Sequence, residues 1–188
     1  MIERAEHIRE QSIAAKMSID LSAVVDASER LTEALKRGNK LLVCGNGGSA
    51  GDAQHIAGEF INRFLLERKP LPCIALSTDS SVLTAIANDY SFEEVFSKQI
   101  EALGMTGDFL MAISTSGESK NVIRAVKAAR EKGMISIGLL GRNGGSLAAL
   151  VDIPLIVPVI ETPRIQEGHL LIFHIMCELV EANLFGKK

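Results

Sequence analysis

Reactive side chains stand at usable spacings in three parts of this chain. In Gln54-His55-Ile56-Ala57-Gly58-Glu59, His55 and Glu59 are four residues apart, so on a helix they share one face. Such a pair can bind a divalent metal or move protons. It can equally be the i,i+4 pair of an ordinary exposed helix face. A long apolar segment near the C-terminus adds Gln166, His169 and His174. At about 100° per residue, Gln166 and His174 lie about 80° apart on a helix, and His169 and His174 about 140°. One ligand therefore does not easily meet both histidines. His169 fits a buried histidine satisfied by a backbone carbonyl. His174, between Phe173 and Ile175, sits in apolar surroundings that disfavour its charged form. His55, Glu59, Gln166 and His174 together make a nitrogen and oxygen donor set suited to zinc.

Two loops carry the remaining chemistry. Cys44-Gly45-Asn46-Gly47-Gly48-Ser49-Ala50-Gly51-Asp52 follows an apolar run and leads into a helical pattern. Its glycines admit a ligand close to backbone amides, and Ser49 stands where a helix start leaves donors free. It is neither a Walker loop nor a GxGxxG fingerprint, and a plain tight turn with a helix cap accounts for it equally well. Ile113-Ser114-Thr115-Ser116-Gly117-Glu118-Ser119-Lys120-Asn121 is more telling. Helix capping explains one hydroxyl there, but Ser114, Thr115, Ser116 and Ser119 make a neutral cradle for a phosphate dianion at a helix N-terminus. Asn88-Asp89, at the end of a third apolar segment, reads locally as a helix stop.

These residues need a scaffold, and the apolar pattern supplies one. Runs at 40–44, 72–76, 108–113, 135–140 and 153–157 read as buried strands. Helical segments near 49–63, 82–87, 92–103, 121–132 and 163–184 separate most of them. Continuous apolar strands alternating with helices predict a parallel sheet covered on both faces, in a doubly wound three-layer α/β sandwich. Residues 2–36 form a helical N-terminal extension with a break at Ser18-Ile19-Asp20. The expected organisation is one domain over 1–188, with the extension at 1–38 and the α/β core at 39–188. The segment from His169 to Val180 is apolar nearly all round, which predicts burial partly against another subunit.

Composition narrows the classes. Hydrophobic residues make up 47% of the 188 and charged residues 23%, as in a folded globular protein. A net charge of −3 with dispersed basic residues disfavours non-specific nucleic-acid binding. Cys44, Cys73 and Cys177 lie in or beside apolar runs without CxxC spacing, pointing to buried thiols in a reducing compartment. The charged N-terminus lacks a signal core, and no uninterrupted apolar run spans a membrane. A cytoplasmic protein without membrane or nucleic-acid partners is expected.

Taken together, Cys44-Gly45-Asn46-Gly47-Gly48-Ser49, Ile113-Ser114-Thr115-Ser116-Gly117 and Arg164-Ile165-Gln166-Glu167 resemble the phosphoheptose isomerase branch of the SIS family, and the resemblance runs over essentially the whole chain. It implies a flavodoxin-like, five-stranded parallel sheet and a homotetramer with active sites at subunit interfaces. It further implies conversion of sedoheptulose 7-phosphate to D-glycero-D-manno-heptose 7-phosphate, the first step toward nucleotide-activated heptose for lipopolysaccharide or other surface glycans. By motif, Glu59 and His174 would be catalytic. Asn46, Gly47, Gly48, Ser49, Arg63, Asn88, Asp89 and Gln166 would contact the sugar or line its site. Ser114, Thr115, Ser116 and Ser119 would hold the phosphate, and His55, Glu59, Gln166 and His174 would bind zinc. Ile61-Asn62-Arg63-Phe64, the stretch from Leu83 to Asp89 and Leu184-Phe185-Gly186 also resemble a non-enzymatic branch that binds the bacterial replication initiator. That branch lacks the counterparts of Glu59 and His174. A third possibility is a sugar-phosphate sensor of the kind found in some transcription regulators, although no helix-turn-helix pattern precedes the core.

Overall fold

The computed structural model describes residues 1–186; the last two residues of the expected 1–188 span lie outside the described residues. Helix α1 (Ile2–Met17) and helix α2 (Leu21–Lys36) open the chain. They part at Ser18–Asp20, where the Asp20 carboxylate accepts from the Ser22 and Ala23 amides at 2.9 and 3.3 Å and satisfies two free donors of the new helix. Then follow β1 (Leu41–Gly45), α3 (Gly48–Ile61), β2 (Cys73–Ala75) and α4 (Ser80–Asp89). The segment expected as one helix over 92–103 divides into a 3-10 turn, Phe92–Glu94, and α5 (Ser97–Leu103). The chain closes with β3 (Phe109–Ser114), α6 (Lys120–Glu131), β4 (Ile135–Gly141), the single-turn α7 (Gly145–Ala148), β5 (Ile153–Val157) and α8 (Thr162–Phe185).

All strands are parallel, in the order β2-β1-β3-β4-β5. Central β1 and β3 are buried at every residue, which is why they read as unbroken apolar runs. Edge strands β2 and β5 expose Ile74 and Pro154 in turn, and proline is tolerated on an edge strand because its nitrogen can face the side that has no neighbouring strand. The order reverses between β1 and β3, so the loops leaving Gly45 and Ser114 diverge from adjacent strands, the place where open α/β sheets bind ligands. At the other end of these strands the buried Asp108 carboxylate ties β3 to β1, accepting from the Lys40 amide and ammonium and from the Met105 amide.

Each face of the sheet has its own apolar layer. On one side α2, α3 and α8 cover it through Leu31, Ile56, Phe60, Ile172, Phe173 and Met176. On the other, α5 and α6 do so through Ile100, Val122, Ala125, Val126 and Ala129, whose spacing places them on one helical stripe within α6. The 24-residue α8 is long and apolar enough to cross a membrane by composition, yet here it packs against α1, α2 and α3. The three cysteines are free and buried, and burial pushes the thiols of Cys44 and Cys177 up to about 12.

Candidate active site

Both α3 and α8 follow strands and lie on the same face, so they run side by side in the same direction. Their contact makes a ladder. At its first rung, the Gln166 amide lies so close to Gly48 that a Cβ there would stand 2.2 Å from Nε2. At the middle rung, one ligand atom from each of His55, Glu59 and His174 falls within 4.8 Å of the others. The His55 and His174 rings meet edge to face at 5.1 Å, Phe173 packs against both, and Phe64 tilts over His174 at 5.6 Å. His55 Nε2 and Glu59 Oε1 are 3.0 Å apart. Burial, then the neighbouring His55, lowers the His174 pKa from its ordinary value, and Glu59 opposes the shift. Asp52, one turn before His55, is half-buried, and burial raises its carboxyl against the pull of His55.

The hydroxyl loop has a different task. Ser114 Oγ lies 2.9 Å from Ser119 Oγ and 3.4 Å from Ser116 Oγ. It also accepts from the Gly117 amide at 3.1 Å, while Ser116 Oγ accepts from Glu118 at 3.1 Å. Ser119 is the N-cap of α6, but its hydroxyl makes no cap bond. It turns toward Ser114 instead, and Asn121 Oδ1 accepts from the Val122 amide, so the donors ahead of Val122 remain for a ligand. Half-buried Thr115 stands between them. Lys120 and Arg124 are engaged outside the loop by Glu93, at 3.1 and 2.9 Å, so the cradle is built of hydroxyls and amides. Gly117, at φ +69°, takes a backbone conformation that L side chains rarely adopt, and a Cβ there would meet the Gly144 carbonyl oxygen at 2.0 Å.

The two loops are joined by a side-chain link that the spacing did not reveal. Asn46 and buried Asn121 exchange amide hydrogen bonds, both 2.8 Å, and Asn121 also accepts from the Val122 amide. In the first loop Gly47 has φ +55°, and the Ser49 amide donates to the Asn46 carbonyl at 3.0 Å.

Other expected residues make contacts of their own. Exposed Arg63 faces Glu67 at 3.6 Å. Asn88 and Asp89 form the exposed last residues of α4, joined by a 2.8 Å bond. Gln166 is about 12 Å of helix rise from His174 along α8. His169 is the structural histidine that the helical angles separate from His174. It is fully buried, its Nε2 donates to the Leu140 carbonyl at 3.0 Å, and burial pushes its pKa down to about 4.

A carboxylate and two imidazoles converge where α3 meets α8, and serine hydroxyls gather ahead of α6, on a parallel α/β sheet. The SIS domain pattern matches residues 7–141, and the chain belongs to the SIS-domain family. Within that family, it is similar to the phosphoheptose isomerase of Trichlorobacter lovleyi, 58% identical over 172 residues spanning 91% of this chain and 88% of the relative. The phosphoheptose isomerase of Geotalea daltonii is 56% identical over 178 residues, 95% of this chain and 91% of that one. Among solved structures, phosphoheptose isomerase GmhA from Neisseria gonorrhoeae superposes with a TM-score of 0.91 at 48% identity, covering 96% of this chain and 98% of that one. A phosphoheptose isomerase from Francisella tularensis gives 0.91 at 39% identity, covering 95% and 97%.

Proposed function

We propose that this protein is an aldose–ketose isomerase converting sedoheptulose 7-phosphate to D-glycero-D-manno-heptose 7-phosphate through an enediol, at the start of nucleotide-activated heptose synthesis. One observation carries the reading: His55, Glu59 and His174 place their ligand atoms within 4.8 Å of one another. Glu59 takes the proton from the carbon beside the carbonyl, and His174 moves a proton at the oxygen or neighbouring carbon. Each positioned transfer contributes about 10²–10⁴-fold. Ser114, Thr115, Ser116, Ser119 and the amides at the start of α6 hold the phosphate, so remote binding energy fixes the reacting carbons. Asn46, Gly47, Gly48 and Ser49 contact the sugar.

The donor set of His55, Glu59 and His174 fits zinc in atom type and spacing, with Gln166 as the fourth donor. A zinc ion held there would supply Lewis-acid stabilisation of negative charge at the carbonyl oxygen, and its hold on Glu59 would compete with that carboxylate's role as base. In this reading the protein is a cytoplasmic homotetramer, one SIS domain per chain, with active sites at subunit interfaces. Arg63, Asn88 and Asp89 then line sites shared between copies. The exposed apolar side chains of α1 and α8, Ile2, Ile8, Ile13, Met17 and Leu170, support assembly. The test is turnover of sedoheptulose 7-phosphate by purified protein whose metal content and mass in solution are measured on the same sample. Turnover is expected to fall at least about 10²-fold in Glu59→Gln and in His174→Gln. Full activity in either variant removes that residue from the chemistry.

A further inference from the structure

At the third rung of the α3–α8 ladder, Glu181 stands two turns beyond His174 on α8, and its carboxylate is fully occupied. It accepts from the amides of Phe64, Leu65 and Leu66 at 3.0, 2.7 and 2.8 Å and from Arg68 Nε at 2.8 Å. Arg68 turns its other nitrogens onto the end of α3. Nη2 donates to the Glu59 carbonyl at 2.8 Å and Nη1 to the Phe60 carbonyl at 2.8 Å. Both side chains are only 2% exposed.

The pair does two things at once. It satisfies carbonyls that the end of a helix leaves without partners, and one of these belongs to Glu59 itself. It also holds the turn that lays Phe64 over His174. A buried pair of this kind adds little net stability compared with apolar groups of the same shape, but it fixes geometry because each partner has few alternatives.

We propose that Arg68 and Glu181 are positioning residues for the candidate site: their clamp sets how the end of α3 faces α8, and so the placement of Glu59 against His174. The kinetic part of this inference rests on the isomerase reading, whereas the geometric part does not.

The experiment compares the wild-type protein with Arg68→Lys, Glu181→Gln, the apolar double variant Arg68→Met/Glu181→Leu, and Ile100→Ala as a destabilised control from the opposite apolar layer. Ring resonances of His55 and His174 in metal-free protein report placement without substrate. In the three clamp variants these resonances are expected to shift. Zinc affinity, read by competition with a chromophoric chelator, is expected to fall about tenfold, as for residues that orient metal ligands. The turnover number is expected to fall about 10²-fold, as for misplacement by about an ångström, with KM changed less than about threefold because the phosphate cradle hangs from other elements. Ile100→Ala is expected to retain wild-type values at a temperature where it is folded. Wild-type ring resonances in folded Arg68→Lys, or equal changes in Ile100→Ala, would overturn the proposal. If Glu181→Gln does not fold, Arg68→Lys and the double variant decide the question. If the wild type fails to isomerise heptose phosphate, the functional reading falls, and the ring resonances still judge the clamp.

Discussion

Asn121→Asp changes one nitrogen to oxygen and isolates the link between the two ligand loops. The wild-type amide gives a proton to Asn46 Oδ1 and receives one from Asn46 Nδ2, each at 2.8 Å. An ionised carboxylate keeps the second bond and the one from the Val122 amide, but sets an oxygen against Asn46 Oδ1. Losing one hydrogen bond and leaving buried oxygens opposed costs about 1–3 kcal/mol. Position 121 is 3% exposed, so burial should raise the carboxyl above its unfolded value of about 3.9. When protonated, the new acid can donate to Asn46 and rebuild the link. The variant should therefore match the wild type in acid and lose stability as pH rises between its unfolded and folded values. Denaturant titrations at pH 5 and pH 8 measure the loss. The same strain on the loops should raise KM about tenfold at pH 8, equivalent to about 1.4 kcal/mol. Equal stability at both pH values, with an unchanged KM, would refute the idea that this pair holds the loops in register.

Two further outcomes are expected. Gly117→Ala forces a side chain into a left-handed conformation, costing about 1–2 kcal/mol, and drives its Cβ against the Gly144 carbonyl. Thermal melting should fall by several degrees and KM for sugar phosphate should rise, whereas a wild-type KM would mean that the cradle tolerates the shift. Acid should unfold the protein through Asp108 and Glu181. Burial alone would raise both carboxyls, but for Asp108 the Lys40, Met105 and Asn39 donors outweigh it. For Glu181 the Leu66, Phe64 and Leu65 amides and Arg68 outweigh it. Both groups are thus lowered, so their stabilisation is present above the unfolded values near about 4 and is lost as pH falls through the folded ones. Circular dichroism from pH 7 to pH 2 should show stability falling first below about pH 6.5, where buried His169 is charged only in the unfolded chain, and further below about pH 4 as the two carboxylates protonate.

Much of the scaffold was legible because burial writes directly into the order of side chains. Leu41–Gly45 and Phe109–Ser114 are apolar on both faces, as central parallel strands must be. The edge strand β2 is shorter than its apolar run, since it pairs only with β1. The segment from Phe92 is interrupted at Val95–Phe96, two buried residues that read as part of one apolar helical pattern. A single turn such as α7 has no period to detect, and its neighbours Gly144 and Gly145 read only as loop. In the site, the four-residue spacing placed His55 and Glu59 on one face, and the helical angles separated His169 from His174. That α8 approaches α3 in register is a tertiary fact, visible beforehand only through family resemblance. Asn121, Arg68 and Glu181 were missed for the same reason. A polar residue in a helix or a loop reads as a solvent-facing position, and the side-chain partners that bury these three, Asn46 for Asn121 and Arg68 and Glu181 for each other, lie far away along the chain.

Because Gly45 and Ile113 are register partners on touching strands, both ligand loops begin about 4.8 Å apart, a distance fixed by backbone pairing itself. No side-chain change in the sheet can widen that gap. A descendant of this protein that acts on longer or shorter sugars must therefore acquire its new reach beyond the strand ends, by inserting or deleting residues in the loops, while the strands beneath stay as they are.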